Sequence, residues 1–217
     1  MKKPESTKEQ LITSAGELFA EHGFGGVSTR MIADRAGVKL SGIHYHFGSK
    51  EKLYIEACLT AHRRCQLTTF ADILEENPTL ASTPEGQAEI VRNAVFRCFH
   101  DHFYSKRPDW EINLLLREMI SPTSAMTTLV DLIFRPEAES AALFYQRVKP
   151  TASYEEAAAW FDLMYGEIFF YTVARNTIQM VRGVDTLSTE FFQLAAAKLA
   201  RAMILEAGLP LPADLVR

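Results

Sequence analysis

Between residues 23 and 49 the chain carries more helix stop and start signals than any segment of its length elsewhere. Gly23-Phe24-Gly25-Gly26 halts a first helix, Ser28 is a good N-cap for a second, Gly37 suits its left-handed terminator, and Gly48-Ser49 closes a third and caps a fourth. These signals predict helices of about 15, 9 and 8 residues, then one long helix reaching about Glu76. Leu11, Ala15, Leu18 and Phe19 fall on one face of the first, Ile32, Ala33 and Ala36 on one face of the second, and Ile43 and Phe47 inward on the third. Three short helices followed by a long one are the layout of a small DNA-binding head on a helical body, not of a bundle core.

The rest of the chain also reads as helix. Pro84 suits the first turn of a fifth helix ending near Tyr104, and Pro108 opens another that ends near Ser121-Pro122. Residues 123–148 are helical in pattern but interrupted at Arg135-Pro136, which predicts two helices or one kinked one. Ser153 and Glu156 form a capping box opening a helix to about Arg175, and Gly183 separates it from a last helix, Ser188 to Ala207, stopped by Gly208 and Pro210. No stretch alternates with period two, so the predicted fold class is all-α: a three-helix head, residues 1–52, joined by the fourth helix to a helical domain, residues 53–217.

Charge follows the same division. Residues 1–52 hold eight Lys and Arg against six Asp and Glu, whereas the remainder holds fifteen against twenty-one. A mildly basic head on an acidic body permits an anionic partner at the head. The longest run without a charged residue, Met119 to Val130, contains Pro122 and is too short to span a bilayer. The opening MKKPESTKEQ leads into no apolar segment of the kind a secretory leader needs, and three cysteines without a CxxC make no disulfide framework. The expectation is a reduced, cytoplasmic protein with no membrane partner.

Ser28 to Phe47, STRMIADRAGVKLSGIHYHF, is the segment that carries chemistry. Two short helices joined at Ala36-Gly37-Val38, with small Ala33 where they approach, form a helix-turn-helix pattern. The second helix is polar and aromatic outward through Lys39, Ser41, His44, Tyr45 and His46, and Gly42 would let backbone come close to a groove. Ser28, Thr29 and Arg30 at the start of the preceding helix, and Lys50 beyond Gly48, are candidates for phosphate. Lys39, Leu40 and Ser41 open the recognition helix, where base edges are read; Leu40 could offer only an apolar contact.

STRMIADRAGV followed by YHFGSKEKLY closely resembles the N-terminal domain of TetR-family transcriptional regulators, and LITSAGELFAEHGF is similar to that family's first helix. The family usually carries an aromatic residue where this chain has His44. Further on, Leu115-Leu116-Arg117-Glu118-Met119, Pro122-Thr123, Ala125 and Phe134-Arg135-Pro136 resemble the C-terminal domain of the CecR-like subgroup. The resemblance implies a homodimer on a palindromic operator, usually repressing, that releases DNA when an unidentified small molecule enters the helical body. A dimer is also what one short recognition helix needs, because it covers only a few base pairs.

Aromatic and Met-rich residues of the body, Phe99, Phe103, Trp110, Met126, Phe161 and Tyr165, with Arg117, are candidates for lining the effector site. The alternative for each is plain core, and for Arg117-Glu118 an internal ion pair or an interface contact. The Ala-rich last helices supply an expected dimer seam through Ala158, Phe161, Phe169, Phe192, Ala196 and Leu199. Glu167, an acid in an apolar neighbourhood, needs a partner in the pocket or the seam. Cys58, His62 and Cys65, and Cys98 with His102, have spacings that place donors on one helix face, but a buried thiol is more often a small hydrophobe, so neither metal nor cofactor is expected. No G-x-S-x-G, P-loop or HExxH supports an enzyme. A scaffold without DNA contact would not need hydroxyl and lysine groups around a helix-turn-helix.

Overall fold

A computed structural model describes residues 6–65, without the Cys65 side chain, 70–104 and 107–216. Its α-helices are α1 (Thr7–Gly26), α2 (Thr29–Ala36), α3 (Ser41–Phe47), α4 (Lys50–Cys65), α5 (Phe70–Glu76), α6 (Pro84–Phe103), α7 (Asp109–Ile120), α8 (Met126–Leu129), α9 (Arg135–Val148), α10 (Tyr154–Val173), α11 (Arg175–Arg182) and α12 (Thr189–Glu206). Among the described residues there is no strand, and none of the helices is long and apolar enough to cross a membrane. The fold is all-α, as the periodicity predicts.

Ser28 and Ser153 accept a backbone N–H of the helices they were expected to open; Ser6, Thr83 and Ser188 do the same for three more, and Gly37 and Gly183 end their helices in the left-handed conformation. The helix expected over 49–76 crosses residues 66–69, which lie outside the described residues, with α4 before them and α5 after. Two features differ. The interruption expected at Arg135-Pro136 is a π-helical turn, Val130–Phe134, leading into α9; Pro136 has no N–H to give the carbonyl four residues earlier, so the ladder loosens there. Helix α11 fills the segment between Ala174 and Gly183 that the sequence left unassigned.

Packing divides the chain differently from the split expected at residue 52. One compact unit comprises Met1–Gln66 and Lys106–Phe134, the other Leu67–Ser105 and Arg135–Arg217. The first unit thus adds α4, α7 and α8 to the three-helix head. A head of about fifty residues has too little core to stand well alone, and α4 and α7 enlarge it: Leu53, Tyr54 and Ala57 of α4 and Trp110 and Leu114 of α7 join Leu11, Leu18, Phe19, Ile32 and Ile43 in one apolar cluster. Gly16 makes that possible, since a Cβ there would lie 2.3 Å from Cζ3 of Trp110. In the second unit α6 packs on α12 and α9 on α10, around Phe99, Phe144, Tyr145, Trp160 and Phe192. The Trp160 indole N–H donates to the Met203 carbonyl at 3.0 Å, which satisfies its one polar atom.

Candidate nucleic-acid interface

In the first unit, α2 and α3 are held as a rigid corner on α1. Ile32 and Ala33 of α2 and Ile43 and Phe47 of α3 turn inward. Arg35 reaches across to Glu17 with both Nε and Nη2 at 3.0 Å, fixing α2 to α1. The Ser28 hydroxyl accepts the Met31 N–H at 3.2 Å, and the first intrahelical bond of α2 is Ile32 N–H to Ser28 O. The amides of Thr29 and Arg30 precede that bond, so the start of α2 offers donors to an anion. Arg30 is exposed, with its Nε 3.9 Å from Asp34, a distance too long to hold it.

On α3 the outward residues share one face. Lys39, Leu40, Ser41, His44 and Tyr45 are exposed, while His46 is half-buried with its ring 4.9 Å from that of Tyr45. Tyr45 is 85% exposed, the most exposed aromatic side chain among the described residues. The His44 ring bonds through Nδ1 to the Gly48 carbonyl at 3.1 Å. A carbonyl can only accept, so Nδ1 carries the proton of that bond.

Gly42 is half-buried, and a Cβ there would stand in ordinary contact with Leu11 Cδ1 of α1 at 3.8 Å. Lys50 donates to the carbonyls of Phe24 and Val27, both at 2.9 Å, with Nζ 4.2 Å from the Phe24 ring centre. It pins the turn between α1 and α2, which its sequence position could not reveal.

Behind this corner, α7 grips the head through two side chains. Arg117 donates from Nε and Nη2 to the carbonyls of Ala20 and Glu21, both at 3.1 Å, just before Gly23 takes a positive φ of 74° and breaks α1. A side chain at Gly23 would be strained by that φ and would lie 3.2 Å from the same guanidinium. Glu118, 1% exposed, accepts the Tyr54 hydroxyl at 2.7 Å and the Thr123 N–H and hydroxyl at 2.9 and 3.1 Å. Burial and the Glu118 hydrogen bond push the Tyr54 hydroxyl pKa up, and burial pushes the Cys58 thiol up to about 12. That thiol is inert at neutral pH. Glu118 is therefore internal while Arg117 is exposed, its guanidinium held by two carbonyls; each has its own partners and they are not paired with one another.

The effector candidates fall in both units. Trp110, Arg117 and Met126 lie in the first, where Trp110 is core and Arg117 is committed to α1; Phe99, Phe103, Phe161 and Tyr165 lie in the second. There Phe103 stacks on Phe192 at 4.1 Å, beside an open groove of about 240 Å³ that includes Tyr104, Arg175, Gln179 and Thr189. Tyr165 donates to Glu137, a buried carboxyl whose pKa burial raises. Burial likewise raises the Glu167 carboxyl, offset by a hydrogen bond from Tyr171.

Four of the six seam candidates are interior to the second unit. Phe161, Phe192, Ala196 and Leu199 are all under 10% exposed, packed into their own protomer's core; Ala158 and Phe169 are half-buried. The exposed apolar stripe is its neighbour: Ala159, Leu163, Gly166, Phe170 and Val173 on α10, and Leu194, Ala202 and Leu205 on α12. Among the described residues no group of three or more His, Cys, Asp or Glu is placed for a metal; Cys65 falls outside them. The His102 ring bonds the Cys98 carbonyl at 2.9 Å.

A helix-turn-helix corner buttressed by further helices and attached to a helical body defines a bacterial transcriptional regulator of the helix-turn-helix class. Residues 11–57 match the model of the bacterial regulatory proteins of the tetR family, and residues 89–207 match that of the C-terminal domain of the HTH-type transcriptional dual regulator CecR. The chain belongs to the TetR family, with a C-terminal domain of the CecR type. Members of that family are transcriptional regulators, not enzymes. The chain is 28% identical over 196 residues to the HTH-type transcriptional dual regulator CecR of Shigella flexneri, covering 88% of this chain and 87% of that one. Two solved structures share its fold: a TerR/AcrR-family transcriptional regulator from Aquifex aeolicus, at 17% identity with TM-score 0.59, and AibR in complex with isovaleryl coenzyme A and operator DNA, at 12% identity with TM-score 0.62. They cover 92% of this chain in each case, and 99% and 96% of their own lengths.

Proposed function

We propose that this protein is a repressor that binds a palindromic operator as a homodimer and leaves it when a small molecule occupies the helical region beyond residue 52. The observation that carries the DNA contact is the outward face of α3, where a tyrosine that is 85% exposed stands with Lys39, Ser41 and His44 on a helix whose other side is core. A large aromatic side chain so exposed on a rigid corner has no packing role to explain it. Lys39, Leu40 and Ser41 meet base edges; Ser28, Thr29, Arg30 and Tyr45 meet the backbone. Residues 1–52 are the DNA-contacting part and residues 53–217 the regulatory part, acting in the cytoplasm where the operator is. The dimer forms through the exposed stripe of α10 and α12, not the buried residues beside it. AibR, bound to both an acyl thioester and its operator, supports the pairing of effector and DNA on one such fold.

The test is a gel shift of the full chain on its own upstream region, at fixed salt with competitor DNA. Wild type is expected to shift a discrete band, and Tyr45→Ala to weaken binding by about 1–2 kcal/mol without changing sequence preference, because a backbone contact positions but does not specify. A Lys39/Ser41 double variant is expected to change the sites recovered by selection. No retardation above competitor would overturn the reading.

A further inference from the structure

We infer that the N-terminal end of α7 holds the acid group of the effector, a carboxylate or phosphate, on the Arg107 guanidinium. The inference rests on the effector-responsive regulator reading and names the chemistry of its ligand. Arg107 lies just before Pro108, the N-cap of α7. All three of its side-chain nitrogens are shut away from water and meet no acceptor among the described residues. An arginine keeps its charge in a protein and has five N–H groups to place. A cation removed from water without a partner is an arrangement folded chains avoid. Other arginines here have partners even where water reaches them: Arg117 has two carbonyls, Arg92 has Asp214 and Glu89, and Arg64 has Glu111.

The next turn of chain repeats the pattern. The Trp110 indole N–H is buried without an acceptor, and Glu111, 1% exposed, gives Oε1 to Arg64 at 3.4 Å while its Oε2 has no partner. The Thr13 hydroxyl also lacks a partner, one turn before the Gly16 that admits the Trp110 ring. Buried polar atoms in native folds nearly always have partners, so several orphans in so short a stretch mark a place for a group not present. Unmet donors exceed unmet acceptors, and two arginines stand against one glutamate. The complement is an anion rich in acceptors; Glu111 Oε2 adds a preference for one that also carries an O–H or N–H.

The position also gives the ligand a handle on DNA binding. Arg117 and Glu118 lie ten and eleven residues further along the same chain, roughly 15 Å along the helix, and hold α1 and α4. An anion ordered at Arg107 therefore acts on the helix that fixes the end of α1.

Calorimetric titration of the full chain with sodium lactate and with sodium phosphate, against sodium chloride at equal ionic strength, tests the site. Saturable binding of either probe is expected, weakened at least tenfold in Arg107→Met and less in Arg107→Lys. Lactate alone binding assigns a carboxylate, phosphate alone a phosphate, and both the shared acid group. Without ligand, Arg107→Met is expected to melt higher than wild type, because the uncompensated charge is gone. Binding of neither probe above chloride, equal binding by Arg107→Met, or a lower melting temperature for that variant would each overturn the proposal. Occupied protein should also change operator affinity at least threefold; saturable binding without that change overturns the effector role. Lactate or phosphate binding in a chain that never retards its upstream DNA would instead count against the regulator reading, and so separates the two failures.

Discussion

The two compact units treat their polar side chains differently. In the first, Arg35, Lys50, Arg117 and Glu118 are clamps between helices, each with two or three hydrogen bonds, and the outward faces of α2 and α3 are left polar. The second relies more on aromatic joints, with Phe70, Phe144, Tyr145 and Trp160 in one cluster and Phe99, Phe103, Tyr171 and Phe192 in another, alongside polar links such as Arg92 to Asp214 and Tyr145 to Glu206. Directional bonds fix a geometry to a few tenths of an ångström, whereas apolar contacts tolerate repacking. Under the proposed function, a corner that matches a DNA groove needs the first kind of joint, and a face that meets a second copy can use the second.

The largest test of this contrast pits the buried and exposed apolar residues of the second unit against each other. Ala196 is 1% exposed, so Ala196→Glu puts a charge into core and is expected to cost upward of about 4 kcal/mol, giving a misfolded chain. Phe170 is 55% exposed, and Phe170→Asp is expected to leave the fold intact but yield a monomer. Its operator affinity should fall by about a hundredfold, since the second half-site contact is no longer intramolecular. Sedimentation, circular dichroism and DNA titration on both variants give the comparison. A dimeric Phe170→Asp moves the seam off this stripe.

That pair also shows what the sequence could and could not tell. The head was legible because every one of its short helices is bounded by a cap or a glycine and has one apolar face, so Ile32, Ile43 and Phe47 could be placed inside and Tyr45 outside. Helices α10 and α12 are apolar nearly all round, with alanine and phenylalanine on both sides, so periodicity does not say which face meets the protomer's own core. Phe192 and Ala196 were therefore expected on a seam, and both are buried in the core of their own unit. Long-range clamps were equally hidden: Arg117 meets Ala20 and Glu21 across some ninety-six residues of chain, and no local pattern announces such a bond.

Within the first unit, Glu118→Ala is the next largest effect. It removes a buried carboxylate and leaves the Tyr54 hydroxyl and the Thr123 N–H and hydroxyl without an acceptor, for about 3–5 kcal/mol. Tyr54→Phe loses only one of these bonds and is expected to cost about 1–2 kcal/mol. Urea unfolding of the two single variants and the double variant measures the coupling. If the costs simply add, the cluster is not a shared network. An apolar joint of the second unit, Phe103→Leu against Phe192, should by contrast cost less than about 1.5 kcal/mol, because the neighbours can close in.

The smallest effect separates a clamp from a DNA contact at Lys50. Its ammonium group already donates to Phe24 and Val27, so Lys50→Met is expected to lower stability by about 1–2 kcal/mol by freeing the turn between α1 and α2. Operator affinity should fall only as far as the loosened corner misplaces α3. A phosphate contact behaves otherwise: its loss reduces the slope of log affinity against log salt by about 0.9. Titrations of wild type and Lys50→Met at several salt concentrations therefore distinguish the two roles, and parallel lines are expected. A shallower line for the variant would return Lys50 to the phosphate-binding set, with its third N–H as the contact and its two carbonyl bonds as the means of aiming it.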